Sequence, residues 1–175
     1  PLVQQNPLRV LDMNRENNQM GLVVARAGLG KTALLVQIAL DAILRGKRVI
    51  HVSIGESIEK TKTWYDDILQ LILQDHSVSR PHELIDMVAR HRMIMTFKVA
   101  AFTRSRLEER LNDLVLQDIF RPNCLIVDGF DFINTDREAL DDIKNLMESM
   151  NMQAWFSAIC HRDDTRVSPA GVPAP

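Results

Sequence analysis

Short apolar runs alternate with longer segments of helical periodicity along this chain, from Gly21 onward. Such alternation is typical of a parallel sheet that has helices on both faces. We predict five strands, at 21–24, 48–53, 93–99, 124–127 and 154–159. The predicted fold is therefore α/β, with a parallel sheet in a three-layer αβα core.

The segments between the predicted strands carry the residues that begin and end helices. We expect the first helix over about 31–45, because Gly46 then offers a left-handed stop. A second helix is expected over about 58–74, and Pro81 falls in the first turn of a third. The apolar face of the second helix is predicted to carry Trp64, Ile68, Leu71 and Ile72.

Two further helices are predicted to begin with capping boxes, in which a Ser or Thr and a Glu three residues later bind the first N–H groups. These boxes lie at 105–108 and 135–138. The inner face of the first helix is predicted to carry Leu107, Leu111, Leu114 and Val115, and that of the second Leu140, Ile143 and Met147.

A single core suffices for this chain, because 175 residues with 46% hydrophobic content fit one domain of ordinary size. We expect an N-terminal lead-in over 1–20, the folded domain over 21–165, and a flexible tail rich in Pro and Ala over 166–175. The tail and the lack of an initiator Met lead us to expect a fragment of a longer protein.

Charge and cysteine content narrow the expected environment of the protein. The net charge of -2 excludes an overall basic field that would recruit nucleic acid or an anionic membrane. Cys124 and Cys160 lie far apart in the sequence, which favours buried thiols in a reducing compartment. No apolar run approaches the roughly 20 residues that span a bilayer. We therefore expect a cytoplasmic protein with no membrane partner.

The loop between the first strand and its helix reads Ala-Arg-Ala-Gly-Leu-Gly-Lys-Thr over 25–32. This matches the P-loop pattern, with Ala25 where the first Gly is commoner. Glycines let the backbone approach phosphate closely, and the first N–H groups of a helix attract anions. The predicted nucleotide-binding residues are Ala27, Gly28, Leu29, Gly30, Lys31, Thr32 and Ala33.

Two side chains of this loop have predicted roles toward ATP and Mg²⁺. Lys31 would reach the β and γ phosphates, and the Thr32 hydroxyl would be a ligand of Mg²⁺, which prefers oxygen. Arg26 would contact either phosphate or solvent. A carboxylate for the metal is predicted at Asp128, which ends the apolar strand 124–127 in the Walker B form. The alternative for Asp128 is a turn residue before Gly129, but the P-loop upstream favours the metal role.

Over roughly 21–162 the sequence resembles the RecA-like ATPases, in the branch that contains KaiC, RadA and the DnaB-type helicases. The P-loop, the segments 51–57 and 97–108, and Leu125-Ile126-Val127-Asp128-Gly129 carry this resemblance. The resemblance implies a catalytic Glu after the second strand. Here Gly55 takes the usual position, and Glu56 matches the second of a tandem Glu pair.

The predicted catalytic residues are accordingly Lys31, Glu56 and Asp128. Glu56 would orient water as a general base, or it would simply begin the next helix, where the helix dipole favours an acid. The resemblance also implies a polar sensor after the fifth strand, for which Ser157, His161 and Arg162 are candidates. A structural histidine is the alternative for His161.

The leading functional prediction is an ATPase that converts ATP and water to ADP and phosphate and so drives conformational change. The resemblance implies a ring or another homo-oligomer. A switch module that binds ATP without hydrolysis is the alternative, and a small-molecule kinase or a DNA helicase-like or recombinase-like motor is less favoured. A nucleic-acid partner stays open but unsupported, because we find no basic loop interleaved with aromatics.

Overall fold

The computed structural model describes residues 20–25, 28, 30–75 and 80–159. The strands in these residues are β1 (Met20–Ala25), β2 (Val49–Ile54), β3 (Arg92–Phe97), β4 (Cys124–Asp128) and β5 (Gln153–Ile159). The helices are α1 (Lys31–Leu44), α2 (Ile58–Asp75), α3 (Pro81–His91), α4 (Arg104–Leu116) and α5 (Arg137–Ser149), with a 3-10 turn at Val99–Ala101.

All five strands are parallel, in the order β1-β5-β4-β2-β3. Parallel strands need crossover connections, which the helices between them provide. The predicted α/β fold with a parallel sheet is confirmed. Because the strands run the same way, their carboxyl ends lie at one edge of the sheet, where ligands bind in open α/β folds.

Two hydrophobic clusters cover the two faces of the sheet. Alternating strand residues such as Cys124 and Leu125 belong to opposite clusters, because successive side chains in a strand point to opposite faces. Helices α1, α2 and α3 pack on one face, and α4 and α5 pack on the other. The described residues therefore form three layers, in which helices cover both faces of the sheet.

Helix α2 buries only part of the face that the sequence predicts, since Ile68 and Ile72 pack in the core and Trp64 and Leu71 do not. Tyr65, Ile68 and Leu69 are buried, whereas Trp64 is 36% exposed and Leu71 is 57% exposed. The prediction was wrong for Trp64 and Leu71. Apolar residues occur in adjacent pairs along this helix, so two overlapping stripes have the same helical period. The packing of Tyr65 against the sheet selects one of them.

The two predicted capping boxes were also wrong. The N-cap of α4 is Thr103, whose hydroxyl accepts a bond from Arg106 N at 3.2 Å, and not Ser105. The N-cap of α5 is Asp136, whose carboxylate accepts from Ala139 N at 2.8 Å. Thr135 instead donates to the main-chain carbonyl of Asp131. Each prediction failed because a second good capping residue lies one or two positions away.

His51 is a polar residue buried in the middle of β2. Its Nδ1 lies 2.9 Å from the hydroxyl of Tyr65 on α2. The pKa of His51 is lowered to about 4, mainly by burial; the Asp128 carboxylate opposes this shift, and the Arg92 guanidinium adds to it by a smaller amount. The ring is therefore neutral at pH 7, and it holds α2 against the sheet as a neutral hydrogen-bonding partner.

We expect the chain to lose stability as the pH falls from about 6.5 to about 4. In this window the unfolded chain takes up a proton at His51 and the folded chain does not, so acid favours unfolding. The shift in pKa corresponds to a loss of roughly 3 kcal/mol in the free energy of unfolding. Urea unfolding at pH 7 and pH 4.5 measures this loss for the wild type and for His51→Gln.

The loss between the two pH values should be smaller in His51→Gln than in the wild type. The matched control is His82→Gln, at an exposed position on α3, which should lose as much as the wild type. An equal loss in all three proteins would contradict the role of His51.

Candidate functional site

The described part of the P-loop has the backbone that phosphate binding requires. Gly28 and Gly30 have φ angles of 78° and 73°, in the left-handed region that favours glycine. Gly30 is the N-cap of α1, and the first N–H groups of a helix have no acceptor within it. Lys31, Thr32 and Ala33 form its first turn, while Arg26, Ala27 and Leu29 lie outside the described residues.

The two predicted metal ligands lie in direct contact. Thr32 Oγ1 on α1 donates to Asp128 Oδ2 at the end of β4, over 2.6 Å. Ser157 Oγ on β5 donates to the other carboxylate oxygen, Asp128 Oδ1, over 2.7 Å. Ser157, predicted only as a candidate sensor, therefore orients the Asp128 carboxylate toward Thr32. This role depends on β5 lying beside β4, which the sequence pattern does not specify.

Gly129 holds the end of β4 against the end of β2. Its φ angle is 85°, and a Cβ at this position would lie 2.5 Å from the carbonyl oxygen of Ile54. Its N–H donates to Ser157 Oγ at 3.3 Å. Only glycine fits here without displacing the backbone, so Gly129 fixes the position of Asp128 beside β2.

Glu56 lies beyond a second left-handed turn, at the end of β2. Gly55 has a φ angle of 82°, and a Cβ there would lie 3.1 Å from Val99 Cγ2. The N–H of Gly55 donates to the Phe97 carbonyl at 2.8 Å. A glutamate would be strained at position 55 in this backbone conformation, and the acid of this segment stands one residue later, at Glu56. Helix α2 begins only at Ile58, so Glu56 precedes it.

Glu56 and the Thr32–Asp128 pair line the same cavity. This open cavity of about 140 Å³ is also lined by Ser53, Lys60, Thr61 and Trp64. The Thr61 hydroxyl lies 3.1 Å from Ser53 Oγ, which ties the start of α2 to the end of β2. Lys60 Nζ donates to Glu56 Oε1 at 2.7 Å. The structure thus brings Thr32, Asp128 and Glu56 to one place. It also adds Lys60, which we did not predict, although its position four residues after Glu56 is a spacing typical of ion pairs.

The oxygens of this site fit a hydrated Mg²⁺. Mg²⁺ is usually bound through one or two protein oxygens and keeps several waters. Thr32 Oγ1 and Asp128 Oδ2 are such a pair, and they stand beside the N-terminus of α1, where phosphate oxygens are favoured.

Comparison with known proteins identifies the family of this chain. A family model described as an AAA domain matches residues 14–159 of the chain. The chain belongs to the AAA domain family. No curated protein matches its sequence.

This AAA domain match spans all five strands and the P-loop, which supports a P-loop ATPase fold with nucleotide binding. The narrower resemblance to the RecA-like branch stays a prediction. The candidate sensors His161 and Arg162 lie outside the described residues. Among the helices described here, none is long and apolar enough to cross a membrane.

Proposed function

We propose that this AAA domain is a Mg²⁺-dependent ATPase of the RecA/KaiC-like class, in which hydrolysis drives conformational change. The observation that carries the proposal is the single cavity lined by Thr32, Asp128 and Glu56. It combines a hydroxyl and a carboxylate that fit Mg²⁺ with a second carboxylate that is available for a proton. These are the groups that the hydrolysis of a triphosphate needs.

Different residues of the site would bind the phosphates and the metal ion. Lys31 and the N-terminus of α1 would bind the phosphates, and Thr32 and Asp128 would hold Mg²⁺, which neutralises charge on the phosphate oxygens. Ser157 keeps the Asp128 carboxylate oriented, over 2.7 Å. Because positioning and charge supply most of the catalysis of this reaction, a preformed arrangement of oxygens favours it.

Glu56 is the proposed general base. The water oxygen forms a bond to the terminal phosphorus while the bond from that phosphorus to ADP breaks, and Glu56 accepts the proton of the water. The side chain is 47% exposed and reaches water directly. Its position after β2, with Gly129 rather than an acid after Asp128, supports the RecA/KaiC-like class within the P-loop ATPases. A homo-oligomer is part of the same proposal.

Glu56→Gln should lower the rate of ATP hydrolysis by about 10²–10⁴-fold, because an amide does not accept the proton of the water. Binding of Mg·ATP should not weaken, since the neutral side chain removes no phosphate ligand. Phosphate release and calorimetric binding measure the two effects. The matched control is Glu59→Gln, an exposed acid in the first turn of α2, which should hydrolyse ATP like the wild type. Unchanged turnover in Glu56→Gln would contradict the role of Glu56.

A switch module that binds ATP without hydrolysis is the second candidate function. The observation that favours it is the ion pair between Glu56 and Lys60, which occupies the carboxylate of the proposed base at 2.7 Å. This function predicts Mg·ATP binding with no phosphate release from the wild type. Measurable phosphate release by the wild type that is lost in Glu56→Gln would exclude the non-hydrolysing switch.

A further inference from the structure

One wall of the cavity is formed by the start of α2 and by Glu56, which precedes this helix. Lys60 and Trp64 are four residues apart and so lie on one side of α2, and together with Glu56 they line the same cavity as the Thr32–Asp128 pair. Among the described side chains that line this cavity, Lys60 carries the one positive charge. The other charged lining groups are the carboxylates of Glu56 and Asp128.

The ion pair of Lys60 is weak enough to exchange. The side chains of Lys60 and Glu56 are 59% and 47% exposed, and exposed pairs of this spacing contribute little because water screens them. A phosphate oxygen is a better partner for the ammonium group, since the terminal phosphate of a triphosphate carries more negative charge than one carboxylate.

The position of Lys60 specifies which phosphate it would meet. Glu56, as the proposed base, acts on water at the terminal phosphate, and Lys60 Nζ lies 2.7 Å from its carboxylate. The same cavity is lined by Thr32 and Asp128, the proposed ligands of Mg²⁺. The terminal phosphate is therefore the one within reach of its side chain.

We propose that Lys60 is a ligand of the terminal phosphate, and that it leaves Glu56 for a bound nucleoside triphosphate. This inference rests on the proposed function, because it takes Glu56 as the base. The exchange makes the site prefer a triphosphate to a diphosphate, since only the triphosphate has the terminal phosphate that Lys60 would bind. It also releases Glu56 Oε1 from Lys60 when the substrate is present.

Lys60→Met tests this proposal, because it keeps a long apolar stem and removes the charge. The control is Lys62→Met, two positions along α2 and also exposed, but turned to another side of the helix. Calorimetry would give the affinities of both variants and the wild type for Mg·ADP and for a non-hydrolysable Mg·ATP analogue. These affinities do not depend on turnover.

We expect Lys60→Met to bind the ATP analogue about tenfold more weakly, the loss of one charge-assisted bond, and Mg·ADP within about twofold of the wild type. Lys62→Met should match the wild type for both ligands. Equal weakening for both nucleotides, or no weakening for either, would overturn the role of Lys60.

Two further measurements separate this proposal from the proposed function. Glu56→Gln should bind the ATP analogue at least as tightly as the wild type, because the competing carboxylate is gone, and adding Lys60→Met should remove that binding gain. Weaker binding in Glu56→Gln would overturn the exchange. A wild type that binds neither nucleotide would contradict the proposed function itself, whereas a wild type that binds both with a ratio unaffected by Lys60→Met would overturn Lys60 alone.

Discussion

Lys31→Ala should reduce the affinity of the chain for Mg·ATP by about 10- to 150-fold, the largest effect on binding that we expect. Lys31 is the first residue of α1 and follows Gly30 in its left-handed conformation. Its ammonium group would make charge-assisted hydrogen bonds to phosphate, and the loss of one such bond costs about 1.5–3 kcal/mol. Calorimetric titration with Mg·ATP measures the change in affinity.

The control for Lys31→Ala is Lys62→Ala, which removes an exposed lysine on α2. It should bind Mg·ATP as the wild type does. The free energy of unfolding of both variants should be measured alongside, so that lost binding is assigned to the site only where the fold is retained. Equal affinity of Lys31→Ala and the wild type for Mg·ATP would contradict the role of Lys31 in nucleotide binding.

Gly129→Ala should lower the free energy of unfolding by about 3 kcal/mol, the largest effect of a substitution on stability that we expect. Part of this loss is the left-handed conformation, which costs a residue with a Cβ about 1–2 kcal/mol. The rest arises because the new Cβ would lie 2.5 Å from the Ile54 carbonyl oxygen, which is backbone and cannot turn away. Unfolding in guanidinium chloride measures the loss.

Gly46→Ala is the matched control for Gly129→Ala. Gly46 also has a left-handed φ angle, of 82°, but a Cβ there would meet nothing within 4 Å. Its cost should be limited to the conformational part, about 1–2 kcal/mol. Equal losses of stability in the two variants would show that the contact with Ile54 does not hold β4 in place. Gly129→Ala should also weaken Mg²⁺-dependent nucleotide binding, because Asp128 precedes it.

The fold was predictable because the spacing of apolar residues differs between strands and helices and can be read along the sequence. The strand at 124–127 and the left-handed end of the first helix at Gly46 could be predicted from local sequence alone, and the structure confirms both. Side-chain orientation was less predictable where two apolar stripes overlap. Trp64 and Tyr65 are adjacent and both apolar, and only the packing against β2, including the contact with His51, decides which is buried.

The site was predictable where a single segment carries its chemistry. The left-handed backbone at Gly28 and Gly30 follows from the P-loop pattern. The contact of Ser157 with Asp128 was not predictable, because it joins residues from two strands whose order along the sheet is set by the whole fold. The sequence marked Gly129 as a turn residue and as part of the resemblance, but not its need to lack a Cβ, which comes from the approach of β2.

The most direct test of this account is phosphate release from Mg·ATP by the wild-type chain and by Glu56→Gln, each with Mg²⁺ present and with the metal removed by a chelator. We expect phosphate release by the wild type that requires Mg²⁺ and that falls at least about 100-fold in Glu56→Gln. Wild-type release that persists without Mg²⁺, or that equals the release by Glu56→Gln, would contradict it.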